Sequence, residues 1–167
     1  MKKYCFDTSG LSNPLETMPE DIHETLWKQI RQRIEGGMIA VTAEIYEEMT
    51  HIPGMTGDCI RGNEPALVLE IGEKEWDWPT YVNEATRMQD DYRQYISDFN
   101  GGSKGTVCLK DISIIALAKA LGLPVVSMES LVRDQNSSKR RIPNICNMDG
   151  ITHKTFSEFC RLENLKA

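Results

Sequence analysis

Histidine is scarce in this sequence, three residues in all at His23, His51 and His153, and none lies within ligand spacing of another. A zinc site or a serine–histidine–acid triad therefore has no local support in the chain and is left to long-range folding alone. The five cysteines, Cys5, Cys59, Cys108, Cys146 and Cys160, are odd in number and too widely spaced for a CxxC pair, so they read as reduced thiols. Long apolar runs are missing too. The longest, Ile114 to Ala118, falls far short of the roughly 20 residues that span a bilayer, and Lys2-Lys3 leads into no signal-peptide core. The expectation is a cytoplasmic protein without membrane association. Basic residues are also outnumbered, 19 against 25 acidic ones, for a net charge of −6. That excludes a protein that coats nucleic acid by charge alone; a specific nucleic-acid enzyme needs only a local basic strip and metal ions.

What is present suffices for one core: 167 residues, 40% of them hydrophobic and 26% charged, predict a single domain over residues 1–167. Tyr4-Cys5-Phe6 is a short apolar run broken by Asp7-Thr8-Ser9-Gly10, the pattern of a buried strand ending at Asp7. Ile22, Leu26, Ile30 and Ile34 recur every four residues before Gly36-Gly37, which predicts an amphipathic helix. Met38 to Val41 reads as a second strand, and Thr42 as the N-cap of a helix carrying Ile45 and Met49. Residues 52 to 80 are punctuated by glycine and proline, with one short helix around Ala66 to Ile71. The stripe Val82, Ala85, Met88, Tyr92, Tyr95 and Phe99 predicts a long helix over 81–99. Gly101-Gly102-Ser103-Lys104-Gly105 lacks the phosphate-loop spacing and reads as a connector.

Asp111 opens a nearly all-apolar helix that must be buried, and Pro124-Val125-Val126-Ser127 reads as another parallel strand followed by Glu129. Thr155 with Glu158 fits a capping box for a last helix. Strands alternating with helices predict an α/β fold, three layers with a central, mainly parallel sheet.

In such sheets ligands bind outside the carboxyl ends of the strands. Asp7 and Glu129 stand there in the sequence, and Asp111 and the acids Glu44, Glu47 and Glu48 are candidates to join them. Singly, each has an ordinary structural explanation as a turn residue, helix cap or solvated side chain. Clustered carboxylates raise one another's pKa and favour a cation among them. Oxygen ligands without histidine or cysteine favour Mg²⁺ or Mn²⁺ over zinc.

The ordered set Tyr4-Cys5-Phe6-Asp7-Thr8-Ser9, Val41 to Met49, Asp111 to Ala118 and Val125 to Glu129 resembles the PIN-domain family of small metal-dependent ribonucleases. The tail Arg141 to Cys146 is similar to that of a little-characterised bacterial and archaeal branch. The resemblance implies a PIN-like three-layer fold and Mg²⁺- or Mn²⁺-dependent RNA cleavage. Asp7, Glu48, Asp111 and Glu129 take the catalytic and metal-binding places, with Glu44 one helical turn from Glu48 as the alternative. Ser9 falls where a Ser or Asn often assists the first Asp. The segment between Glu48 and Asp111 is longer than in compact members, an insertion over about 52–105. Likeness to the VapC-type members further implies a toxin–antitoxin setting, an antitoxin protein partner and a homodimer.

Lys139-Arg140-Arg141 is the candidate strip for RNA phosphates, with a solvated loop as the plain alternative, and Trp76-Asp77-Trp78-Pro79 a candidate docking spot against plain packing. Two other functions remain open. A haloacid-dehalogenase-like phosphatase also ends its first strand in Asp, but Ser9 occupies the place of its second Asp; a catalytically silent RNA- or protein-binding module is indifferent to metal.

Overall fold

Tyr4–Phe6 is buried at every residue, and this strand, β1, pairs in parallel with two neighbours. The computed structural model describes residues 1–72 and 76–167. Beyond β1 run α1 (Ser9–Thr17), α2 (Glu24–Glu35), β2 (Ile39–Ala40), α3 (Ala43–Met49), α4 (Gly54–Gly62), α5 (Glu64–Leu67), α6 (Trp78–Asp91), α7 (Leu109–Leu121), β3 (Val125–Val126), α8 (Ile142–Met148), β4 (His153–Lys154) and α9 (Phe156–Leu162). The sheet is wholly parallel, in the order β2-β1-β3-β4. Cys5 stands opposite Ala40 on one side and Val125 on the other.

Alternation along β1 separates the two layers. Tyr4 and Phe6 both meet the Phe159 ring of α9 edge-on, at 5.0 and 4.9 Å, and Trp27 of α2 stacks on Phe156. Across the sheet lies α7, which packs against β1 and β3 and in turn against α3, α6 and α8. Its residues Ile112 to Ala118 are all buried, as an all-apolar helix requires. Gly122, at φ 68°, ends it in the left-handed conformation that glycine adopts without strain. The result is the three-layer α/β/α arrangement.

Several elements depart from the expected pattern. The helix predicted over 81–99 begins at Trp78 and stops at Asp91; Tyr92 turns its hydroxyl to Asp149 at 2.5 Å, a 3₁₀ turn follows over Arg93–Tyr95, and Ile96 bridges to Val107. Breaking the helix buries Ile96 completely and leaves Phe99 at the surface, so core burial overrides the helical stripe. The helix placed over 66–71 ends at Leu67 instead, because Val68 leaves it to bridge to Val41 beside the sheet. Ile22 lies before α2 and is exposed. Helices α1, α4 and α8 form where turn-rich sequence conceals them. In α4, a Cβ on Gly57 would stand 1.8 Å from the Ile52 carbonyl oxygen, so glycine is what lets this helix pass.

Candidate carboxylate site

Four elements deliver the acids. Asp7 follows β1, and its N–H donates to the Val126 carbonyl, extending the β1–β3 pairing by one residue. Its Oδ2 accepts the Ser9 hydroxyl at 2.7 Å and the Ser9 N–H at 3.2 Å. The Ser9 Oγ in turn accepts the Met128 N–H at 3.0 Å, tying the end of β1 to the end of β3. Asp111 lies in the first turn of α7, two residues inside the helix start, where its Oδ2 accepts the Cys108 N–H at 3.0 Å. Glu129 stands past β3, and its Oε2 accepts the Ile142 N–H at the start of α8 at 2.9 Å.

One oxygen from each of Asp7, Asp111 and Glu129 lies within 4.8 Å of the others. Burial dominates their electrostatics. It pushes Asp111 up to about 7, with the Asp7 and Glu129 charges adding and the Cys108 N–H opposing. Asp7 is raised by burial and by Glu48, against its Ser9 hydrogen bonds. Glu129 is raised by burial and by Asp7, against the Ile142 N–H and Arg141. Three carboxylates that all resist ionisation in one place form a site that a cation stabilises. The donor set passes a simple test of fit, since an Mg²⁺ sphere of about 2.1 Å radius spaces its oxygens roughly 3.0 to 4.2 Å apart. The observed limit of 4.8 Å lies close to the upper end of that range.

Among the described residues Glu48 stands outside this trio, yet beside it. Its Oε1 accepts the Thr8 hydroxyl at 2.6 Å, and Lys110 Nζ lies 3.8 Å from its Oε2. Glu44, one turn earlier, faces elsewhere: it lines a different cavity with Trp76 and Tyr81, and its charge adds to the burial that pushes the Tyr81 hydroxyl up to about 12. The basic strip divides. Arg140 donates to the carbonyls of Gln135, Ser137 and Lys139 and lies over the Tyr95 ring, so its guanidinium braces its own loop. Arg141 is felt by Glu129, and the Lys139 stem lies against Gly105. Trp76 is half-buried against Tyr81 while Trp78 is partly exposed.

Three contributors carry little signal in the sequence. Thr8 is marked only by following Asp7. Lys110 looks like any residue at a helix start. The buried Ser127 hydroxyl, 2.6 Å from His153 Nε2 and accepting a long 3.4 Å hydrogen bond from the Glu129 N–H, joins positions 26 residues apart.

The fold and these acids define an α/β protein with a carboxylate cluster at the carboxyl ends of its central strands. The chain belongs to the family described as a domain of unknown function, DUF4411, which it matches over residues 4–167. No curated protein matches it. Among solved structures it is similar to DNA-bound VapBC from Salmonella typhimurium, at 15% identity over 93% of this chain and 99% of that one, with a TM-score of 0.47. It is also similar to VapBC-1 from nontypeable Haemophilus influenzae, at 13% identity over 92% and 98% of the two chains, with a TM-score of 0.42. Among the described residues no helix is long and apolar enough to cross a membrane.

Proposed function

We propose that this protein is a divalent-metal-dependent endoribonuclease of the PIN type. The observation that carries the reading is the convergence of Asp7, Asp111 and Glu129 within 4.8 Å at the strand ends. In this reading the three acids hold Mg²⁺ or Mn²⁺ and Glu48 completes the acidic surround. A bound divalent ion supplies charge against the phosphodiester and lowers the pKa of water at the site. The chain's own groups do the positioning: Ser9 and the Ile142 N–H fix the rotamers of Asp7 and Glu129, and Thr8 and Lys110 hold Glu48. Lys139 and Arg141 are the members of the basic strip assigned to RNA phosphates. The same reading carries a toxin–antitoxin setting, with an antitoxin protein covering the site and a homodimer as the assembly.

The deciding experiment is cleavage of end-labelled RNA by the purified protein with Mn²⁺, with chelator, and with Asp7→Asn. Metal-dependent cutting that the substitution abolishes is the expected result. Equal cutting by Asp7→Asn would overturn the assignment of the acids as the metal site, and no cutting with a range of RNAs together with no thermal response to Mn²⁺ would overturn the proposal in favour of a silent binding module.

A further inference from the structure

Residues 93–110 carry three basic side chains against one acid outside the carboxylate site, and residues 133–141 carry four against one, a local surplus of five positive charges in a chain whose net charge is −6. The fold brings the two segments together. The Arg140 guanidinium lies 5.3 Å from the centre of the Tyr95 ring, and the Lys139 stem lies against Gly105. Both segments also adjoin the carboxylate site. The Asp98 carboxylate accepts the Leu109 N–H at 2.9 Å, at the first residue of the helix that presents Asp111, and the Arg141 charge is felt by Glu129.

The surplus is not neutralised within the chain. Asp98 serves the start of α7, and Asp134 accepts the Asn136 N–H of its own turn at 3.0 Å. Among the described residues Arg93, Lys104, Arg133 and Lys139 have no carboxylate at ion-pair distance, whereas Arg31, Arg33, Arg61 and Arg87 each have one. Arg93 lies instead over the ring of Phe99, its guanidinium carbon 4.3 Å from the ring centre, and Phe99 is 38% exposed. A lone exposed phenylalanine needs no explanation. One that holds an uncompensated arginine against its ring, in the basic part of an acidic protein, joins a stacking surface to a phosphate contact.

We infer that these two segments bind single-stranded RNA beside the cleaved phosphodiester, with a base stacked on the Phe99–Arg93 pair. The inference rests on the ribonuclease reading above and extends the RNA contact from Lys139 and Arg141 to the segment before α7. Unpaired nucleotides offer base faces to aromatic rings and guanidinium planes, and phosphates to the cations around them. A duplex hides those faces in its own stack and gains the charge contacts alone. An acidic peptide supplies charge without a base to stack, whereas single-stranded RNA supplies both at every nucleotide.

The test reads binding and not cutting. The full chain in chelator is titrated by fluorescence anisotropy with a labelled oligouridine of about twelve nucleotides, an abasic ribose-phosphate strand of the same length, an RNA duplex and an oligoglutamate peptide. Phe99→Ala is expected to weaken oligouridine binding roughly tenfold while the abasic strand and the salt dependence are unchanged, and Phe99→Trp to restore it. Arg93→Ala should lower the logarithmic salt slope by about 0.7. Equal affinity for oligouridine and the abasic strand, oligouridine binding untouched by Phe99→Ala, or a duplex that loses as much as oligouridine in that variant would overturn the inference. So would binding of oligoglutamate that depends on Phe99 in place of RNA, which assigns the surface to a protein partner. Oligouridine binding through Phe99 without any cutting in Mn²⁺ would defeat the nuclease reading and leave the binding strip standing; metal-dependent cutting with binding indifferent to Phe99 would defeat the strip alone.

Discussion

The Thr8 hydroxyl donates a 2.6 Å hydrogen bond to Glu48 Oε1 across 40 positions of sequence, so the residue after the first acid orients the acid on α3. Replacing Thr8 by Val keeps the shape and removes the donor. Loss of one half-buried hydrogen bond is expected to cost about 1 kcal/mol in urea unfolding. Freed of its partner, Glu48 should also orient less well toward a bound ion, and Mn²⁺ affinity measured by calorimetry should fall roughly tenfold. Unchanged affinity would remove Glu48 from the metal surround.

Burial that lifts Asp111 to about 7 makes stability depend on pH. The native state retains a proton that the unfolded chain releases near pH 4, so this group's contribution is full below that value and is lost as pH rises through about 7. The half-buried His153, whose pKa is lowered by burial, acts in the opposite sense as pH falls below 6.5. The difference between wild type and Asp111→Asn isolates the carboxyl. In chelator, between pH 5 and 7, the wild type should lose up to about 1.4 kcal/mol per pH unit relative to Asp111→Asn. Parallel curves in urea titrations at several pH values would contradict this, and saturating Mn²⁺ should reverse the loss.

Asp149, whose side chain is 5% exposed, accepts two hydrogen bonds from Arg87 of α6 and one from Tyr92, with Lys119 at 3.5 Å. Against burial, which raises it, these partners hold its carboxyl below the usual range, Arg87 foremost among them. They also anchor α6 to the turn after α8. Removing Arg87 strands a nearly buried charge, which costs about 3 kcal/mol or somewhat less given the partial exposure of the arginine. The exposed Asp58–Arg61 pair is the control, since breaking an ion pair of that kind should cost under about 1 kcal/mol. Thermal unfolding of Arg87→Ala indistinguishable from wild type would refute the anchor.

The basic strip separates into ligand and brace. Replacing Lys139 and Arg141 together by Ala should weaken RNA binding and flatten its dependence on salt, by about 0.7 in logarithmic slope for each single-strand phosphate that is no longer neutralised. Arg140→Ala should leave that slope unchanged, because its donors serve loop carbonyls. A slope that falls with Arg140→Ala alone would reverse the assignment.

Features that depend on local pattern are legible in the amino-acid sequence without any structure. The buried strand at Tyr4–Phe6 announces itself by a short apolar run, α7 by an all-apolar face, and α9 by the Thr155–Glu158 capping box. The ordered positions of Asp7, Asp111 and Glu129 at strand and helix boundaries point to the crevice where they meet. Competition over distance is settled by packing instead. Ile96 leaves the helical stripe because pairing with Val107 buries it completely, and α4 forms among glycines because Gly57 must pass the Ile52 carbonyl. Glu48 is the better match in sequence but Glu44, one turn earlier on the same short helix, remains its alternative. Only the folded chain gives one of them the Thr8 hydroxyl and turns the other toward Tyr81, because a side chain's partner is set by the elements packed around it and not by its own neighbours in sequence.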